Sequence, residues 1–145
     1  MSEFTIVSVN ISEKKGEKKR PVVEAVLREN HGVEGDAHAG PWHRQVSLLA
    51  EEDIETMRKM GADVSCGDFA ENITTRGIRL AELPIGARLR IGEAELELTQ
   101  IGKECHSGCA IMKQAGTCIM PTRGIFAKVI RGGTIRRGST GSYRV

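Results

Sequence analysis

Aromatic side chains are scarce, one Trp, one Tyr and three Phe in 145 residues, which leaves few faces on which nucleic-acid bases could stack. Net charge is nearly absent as well: 21 basic residues against 19 acidic ones give a formal +2, so no whole-molecule field draws in a polyanion. No run approaches the roughly 18 apolar residues of a membrane helix. The N-terminal MSEFTIVSVN has neither the basic start nor the long apolar core of a secretory leader. These absences argue against nucleic-acid and membrane partners and point to a cytoplasmic chain. Thiols stay reduced in that compartment, so the four cysteines suggest metal binding, catalysis or burial before a disulfide framework.

Glycine, by contrast, is plentiful at 17 residues, and many glycines mean many tight turns. The length suits one domain with a single core, residues 1–145, without linker or internal repeat. Residues 4–11 alternate apolar and polar and are β-branched, with Phe4, Ile6, Val7 or Val9, and Ile11 expected inward. The basic stretch from Lys14 to Arg20 reads as a solvated hairpin tip, after which 22–29 is expected to pair antiparallel with 4–11. A loop at 30–43 follows, then a short strand at 44–49. The helix expected over 50–60 opens on Glu51, Glu52 and Asp53, carries Ile54, Met57 and Met60 as its apolar stripe, and stops at Gly61. Residues 66–77 read as a turn into a short strand. A hairpin of 87–91 and 93–101 turns at Gly92-Glu93, a strand covers 124–130, and Gly132-Gly133 makes a tight turn. Short strands at this spacing with one amphipathic helix and short helical turns predict a mostly β fold, a small closed or partly closed β-barrel.

Three of the four cysteines, Cys105, Cys109 and Cys118, fall within fourteen positions in a glycine-rich stretch. Cys105 and Cys109 are spaced C-x3-C, without the C-x2-C knuckle or second pair of structural zinc. A thiolate that attacks or ligates a soft metal suits the stretch better, since Lys103 and His106 supply positive charge. A small zinc- or disulfide-stabilised partner-binding module stands as the alternative of another class. Cys66 reads as a buried thiol. In Gly35-Asp36-Ala37-His38-Ala39-Gly40, Asp36 and His38 either point into a cleft or close an Asx-type turn. Arg44 is suited to grip phosphate or carboxylate. Glu71 and Asn72 either bind a polar heterocycle or satisfy turn amides, and Arg123, just before a strand, is placed to hold an oxyanion.

Taken together, GVEGDAHAG with Arg44 (32–44), GDFAENITTRGI (67–78), LPIGARLRIGEAELELTQIGKEC (83–105) and RGIFAKVIRGGTIRRGS (123–139) resemble the MOSC domain family, in particular its small stand-alone prokaryotic members. The family is named for the C-terminal domain of molybdenum cofactor sulfurases. The resemblance implies a β-barrel that binds the molybdenum cofactor (molybdopterin) or carries its sulfur, with a sulfur donor or acceptor enzyme as partner. It implies that Cys105 ligates molybdenum or bears a persulfide. It also implies that Arg44, Asn72, Arg123 and His38 line the pterin-phosphate pocket, which Asp36 and Glu71 help to shape. A molybdenum-dependent reductase of N-hydroxylated compounds is the alternative activity.

Overall fold

The computed structural model describes residues 2–14, 18–102 and 124–144. Eleven strands and one helix follow in the order β1 (Ser2–Ile11), β2 (Arg20–Val22), β3 (Glu24–Arg28), β4 (Gly32–Val33), β5 (Val46–Ala50), α1 (Glu51–Lys59), β6 (Ile73–Arg76), β7 (Arg88–Ile91), β8 (Ala94–Ile101), β9 (Ile125–Arg131), β10 (Gly133–Arg136) and β11 (Thr140–Arg144). A short 3-10 turn occupies Leu80–Glu82. The main sheet runs β11-β7-β8-β9-β5-β6-β1-β2, and β11 also pairs with β1. Seven strands therefore close into a barrel, with β2 attached outside the ring. Closure leaves the seven ring strands without a free edge, the usual liability of small sheets. No helix among the described residues is long and apolar enough to cross a membrane.

Alternation along the strands decides what fills the barrel. Ala94, Leu96 and Leu98 of β8, Leu89 and Ile91 of β7, and Ile125, Ala127 and Val129 of β9 all join one buried cluster with Phe4, Ile6, Val9, Val46, Leu48 and Ile73. A fully buried side chain of this size contributes about 1.5–3 kcal/mol. The opposite faces of β5 and β9 send Leu49 and Phe126 outward, where α1 covers them with Ile54 and Met57 and the following loop with Val64 and Phe69. The helix stops as expected at Gly61, which takes φ +100°, but Met60, expected in the apolar stripe, is the C-cap residue beyond the last helical turn and is exposed. It connects β5 to β6, which run parallel, and a parallel neighbour needs such a crossover.

Two expectations from the sequence change. β1 meets β2 only at Val9–Val22, Asn10–Pro21 and Ile11–Arg20. The run after Val22 departs as β3 into a second sheet, β10-β3-β4, so 22–29 does not form one long hairpin arm against 4–11. A register shift between Ile6 and Ser8, where β1 crosses β6, explains why Val9 rather than Val7 faces the core. The basic stretch is not wholly a solvated tip either. Lys14, Lys18 and Arg20 are exposed, but the side chain of Lys19 is fully buried because its ammonium finds a carboxylate inside the fold.

Candidate functional site

The loop that follows β4 is held by backbone hydrogen bonds from Asp36 N–H to Val33 O, Ala37 N–H to Ser12 O and Gly40 N–H to His31 O. Gly35, at φ +83°, lets the chain turn before Asp36. Asp36 Oδ1 then accepts from Lys19 Nζ at 2.8 Å and from Ser12 N–H at 3.0 Å, while Oδ2 accepts from His38 N–H at 3.0 Å. Burial alone would push this carboxyl up, but the hydrogen bonds outweigh it and hold Asp36 well below the usual carboxylate range. The His38 ring is the looser neighbour, its Nδ1 3.8 Å from Oδ2 and beyond hydrogen-bond distance. That buried Nδ1 has no hydrogen-bond partner.

Glu71 and Asn72 stand in a second buried polar layer. Asn72 Oδ1 accepts from Ser47 N–H at 3.0 Å and its Nδ2 donates to Asn10 O at 3.1 Å, tying β5 to β1. Glu71 Oε2 accepts from Gly67 N–H at 3.0 Å and from the Thr74 hydroxyl at 2.8 Å, whereas Oε1 has no partner. The hydrogen bonds of Asp36, Glu71 and Asn72 thus run inside the fold. Burial pushes the Glu71 carboxyl up despite the bonds from Gly67 and Thr74. The unfolded chain therefore ionises first as pH rises past about 4, so Glu71 lowers stability with increasing pH above that point. Glu71→Gln keeps an oxygen for both donors and removes the titration. Its urea midpoint is expected to gain on the native chain between pH 5 and pH 8; parallel curves would show that Glu71 is ionised in the fold. Nearby Cys66 is half-buried, and burial pushes its thiol up, against a hydrogen bond with Thr74. It suits packing more than nucleophilic work.

Arg44 lies on the outer face of the barrel, half-buried. Its guanidinium carbon lies 5.4 Å from the centre of the Phe126 ring and 6.0 Å from that of Trp42. Its Nε donates to Gln100 Oε1 at 3.1 Å, and His43 Nε2 meets the same oxygen at 2.9 Å. Trp42 holds the loop in place: its indole N–H donates to His38 O at 2.7 Å and its ring meets His43 edge-on at 5.7 Å. Thr99 Oγ1 donates to the carbonyl of His43. The sequence carries no signal for Gln100, which is one more polar position on an alternating strand. The cluster stands at the end of β8, beside Gly102. Gln100 Nε2 donates to Gly102 O at 2.8 Å, and Gly102 N–H donates to Gly124 O at 2.6 Å.

Cys105, Cys109, Cys118 and Arg123 lie outside the described residues. Among the described residues no three His, Cys, Asp or Glu side chains gather as metal ligands. The structure brings Asp36 and His38 together in one loop and Glu71 and Asn72 in one buried layer; Arg44 shares hydrogen bonds with neither pair but meets the His38 loop through the Trp42 ring and bonds Gln100 at the end of β8.

A closed seven-strand β-barrel covered by one helix, with a 3-10 turn, defines a small barrel class of β-domain. The chain belongs to the MOSC domain family, whose model matches residues 34–140. Among solved structures, the YuaD protein from Bacillus subtilis superposes with a TM-score of 0.81 at 18% identity, covering 97% of this chain and 95% of that one. YiiM from Geobacillus stearothermophilus gives 0.72 at 18% identity over 98% of this chain and 75% of that one. YiiM from Escherichia coli gives 0.71 at 18% identity over 100% and 71% respectively. At such identities the likeness is one of fold. No curated protein matches the sequence.

Proposed function

We propose that this chain handles the molybdenum cofactor, binding molybdopterin and its metal or carrying its sulfur through Cys105. The observation that carries the reading is the position of the Arg44–His43–Gln100 cluster against Gly102 and Gly124, the two ends of the segment that contains Cys105. Cys105 follows Gly102 by three positions, and three chain steps span no more than about 11 Å.

The donor set fits the group. A guanidinium held by its Nε presents its Nη pair in the planar fork that matches phosphate oxygens, and a thiolate is a soft ligand suited to molybdenum. In this reading Arg44 and Arg123 hold the phosphate, and Cys105 holds the metal or the sulfur. Asp36, His38, Glu71 and Asn72 shape the pocket by fixing the loops that carry it, a role that their internal hydrogen bonds support. When bound, the cofactor would supply redox chemistry at molybdenum or a transferable sulfur.

The test is cofactor content. Protein purified from a host that makes the cofactor is expected to carry molybdenum by elemental analysis and pterin by fluorescence after oxidation, and Cys105→Ala is expected to carry neither. Equal content in the two proteins would remove Cys105 from the site. Turnover of a hydroxylaminopurine by loaded protein with an artificial electron donor would add catalysis to binding.

A further inference from the structure

Strict alternation would send Gln100 into the barrel. Ala94, Leu96 and Leu98 all point inward, and Gln100 is next in that series. A register shift between Leu98 and Gln100 instead leaves Thr99 as an extra residue and pairs Gln100 with Phe126. Phe126 faces outward beneath α1, and the side chains of directly opposed residues share a face. The bulge therefore turns Gln100 out of the core and onto the surface where the Arg44 guanidinium lies over Phe126.

The hydrogen bonds allow only one orientation of the Gln100 amide. Arg44 Nε is always a donor and Gly102 O always an acceptor, so the atom facing Arg44 at 3.1 Å is the oxygen and the atom facing Gly102 at 2.8 Å is the nitrogen. His43 Nε2, 2.9 Å from that same oxygen, must then carry a proton, which makes Nδ1 the acceptor of the neutral ring. One side chain thus sets the rotation of a guanidinium, selects the tautomer of an imidazole and anchors both to the backbone from which residues 103–123 depart.

We propose that Gln100 is a positioning residue for an anion site, holding Arg44 by its Nε so that its Nη pair takes the phosphate of a phosphomonoester, with His43 fixed beside it. This rests on the cofactor reading for the identity of the phosphomonoester. The binding of phosphate itself does not require Cys105.

Two measurements on the full chain test it. In the native protein the Arg44 Nε–H proton is expected to exchange with water about tenfold more slowly than that of the exposed Arg90, and inorganic phosphate is expected to shift the Arg44 resonances in a saturable way. Gln100→Met should abolish the protection and weaken phosphate binding about tenfold, equivalent to roughly 1.4 kcal/mol. Gln100→Glu separates holding from charge, because its carboxylate still accepts from Nε but neutralises the guanidinium. Protection should then persist while phosphate binding falls. An Arg44 Nε–H as fast as that of Arg90 in the native protein overturns the proposal, as does unchanged phosphate affinity in Gln100→Met. Phosphate binding that depends on Gln100 supports it even if the native protein takes up no cofactor, a result that overturns only the cofactor reading.

Discussion

Gly67→Ala is expected to destabilise the protein by more than about 4 kcal/mol, read as a shift of the urea midpoint or as failure to accumulate folded. Gly67 sits at φ +91°, where an L side chain is strained. Its missing Cβ would also fall inside contact distance of the Lys19 carbonyl oxygen, with the carbonyl carbon only 2.9 Å away. Both obstacles are backbone, which no rotamer change relieves. The close approach exists because Lys19 N–H donates to Gly67 O at 2.8 Å and Gly67 N–H donates to Glu71 Oε2 at 3.0 Å. A substitution at Gly86 serves as control. It shares the positive φ, +92°, but has nothing within 4 Å, so Gly86→Ala should show the conformational cost without the clash. Equal losses at the two positions would mean that the Gly67–Lys19 approach is looser than the structure shows.

Lys19→Met should be nearly as damaging at neutral pH. The Lys19 and Asp36 side chains are both fully buried, 2.8 Å apart, and removing one partner of a buried pair costs about 3–5 kcal/mol because the other charge is left uncompensated. The pH dependence identifies the cause. Asp36 titrates below the usual range in the native fold, so its contribution to stability is full above the unfolded carboxylate value of about 4 and declines as pH falls through and below it. In Lys19→Met the buried carboxyl gains by taking a proton. The gap between native and variant urea midpoints is therefore expected to narrow from pH 7 to pH 4. A gap that stays constant would assign the loss to packing of the lysine stem. Because the backbone of Lys19 meets Gly67 and its side chain meets Asp36, lesions at 19 and 67 should not add in the double variant.

Much of the local structure is legible in the residues themselves. The acidic start, the Ile54 and Met57 stripe and the Gly61 stop define α1, and the strict alternation around Gly92-Glu93 defines the β7–β8 hairpin. The candidate site is less so. Arg44 can be picked out as an anion-binding type of residue, but Gln100 cannot, since its strand neighbours predict the wrong face and only the Thr99 bulge turns it outward. Lys19 is hidden for a related reason. It lies among charged residues that are exposed, and its partner Asp36 is seventeen positions away across a fold-dependent contact.

By itself, then, the sequence determined element type, the inward face of most strands, the barrel class and the family, because periodicity and turn chemistry act over a few neighbouring residues. Only the tertiary structure decided that β3 leaves β1 for a second sheet, that β11 returns to close the ring on β1, and that Arg44, His43 and Gln100 meet at the ends of the cysteine-bearing segment. Those outcomes depend on strand partners, register shifts and buried ion pairs between residues distant in the chain, and a pattern of hydrophobicity specifies a face without specifying what covers it.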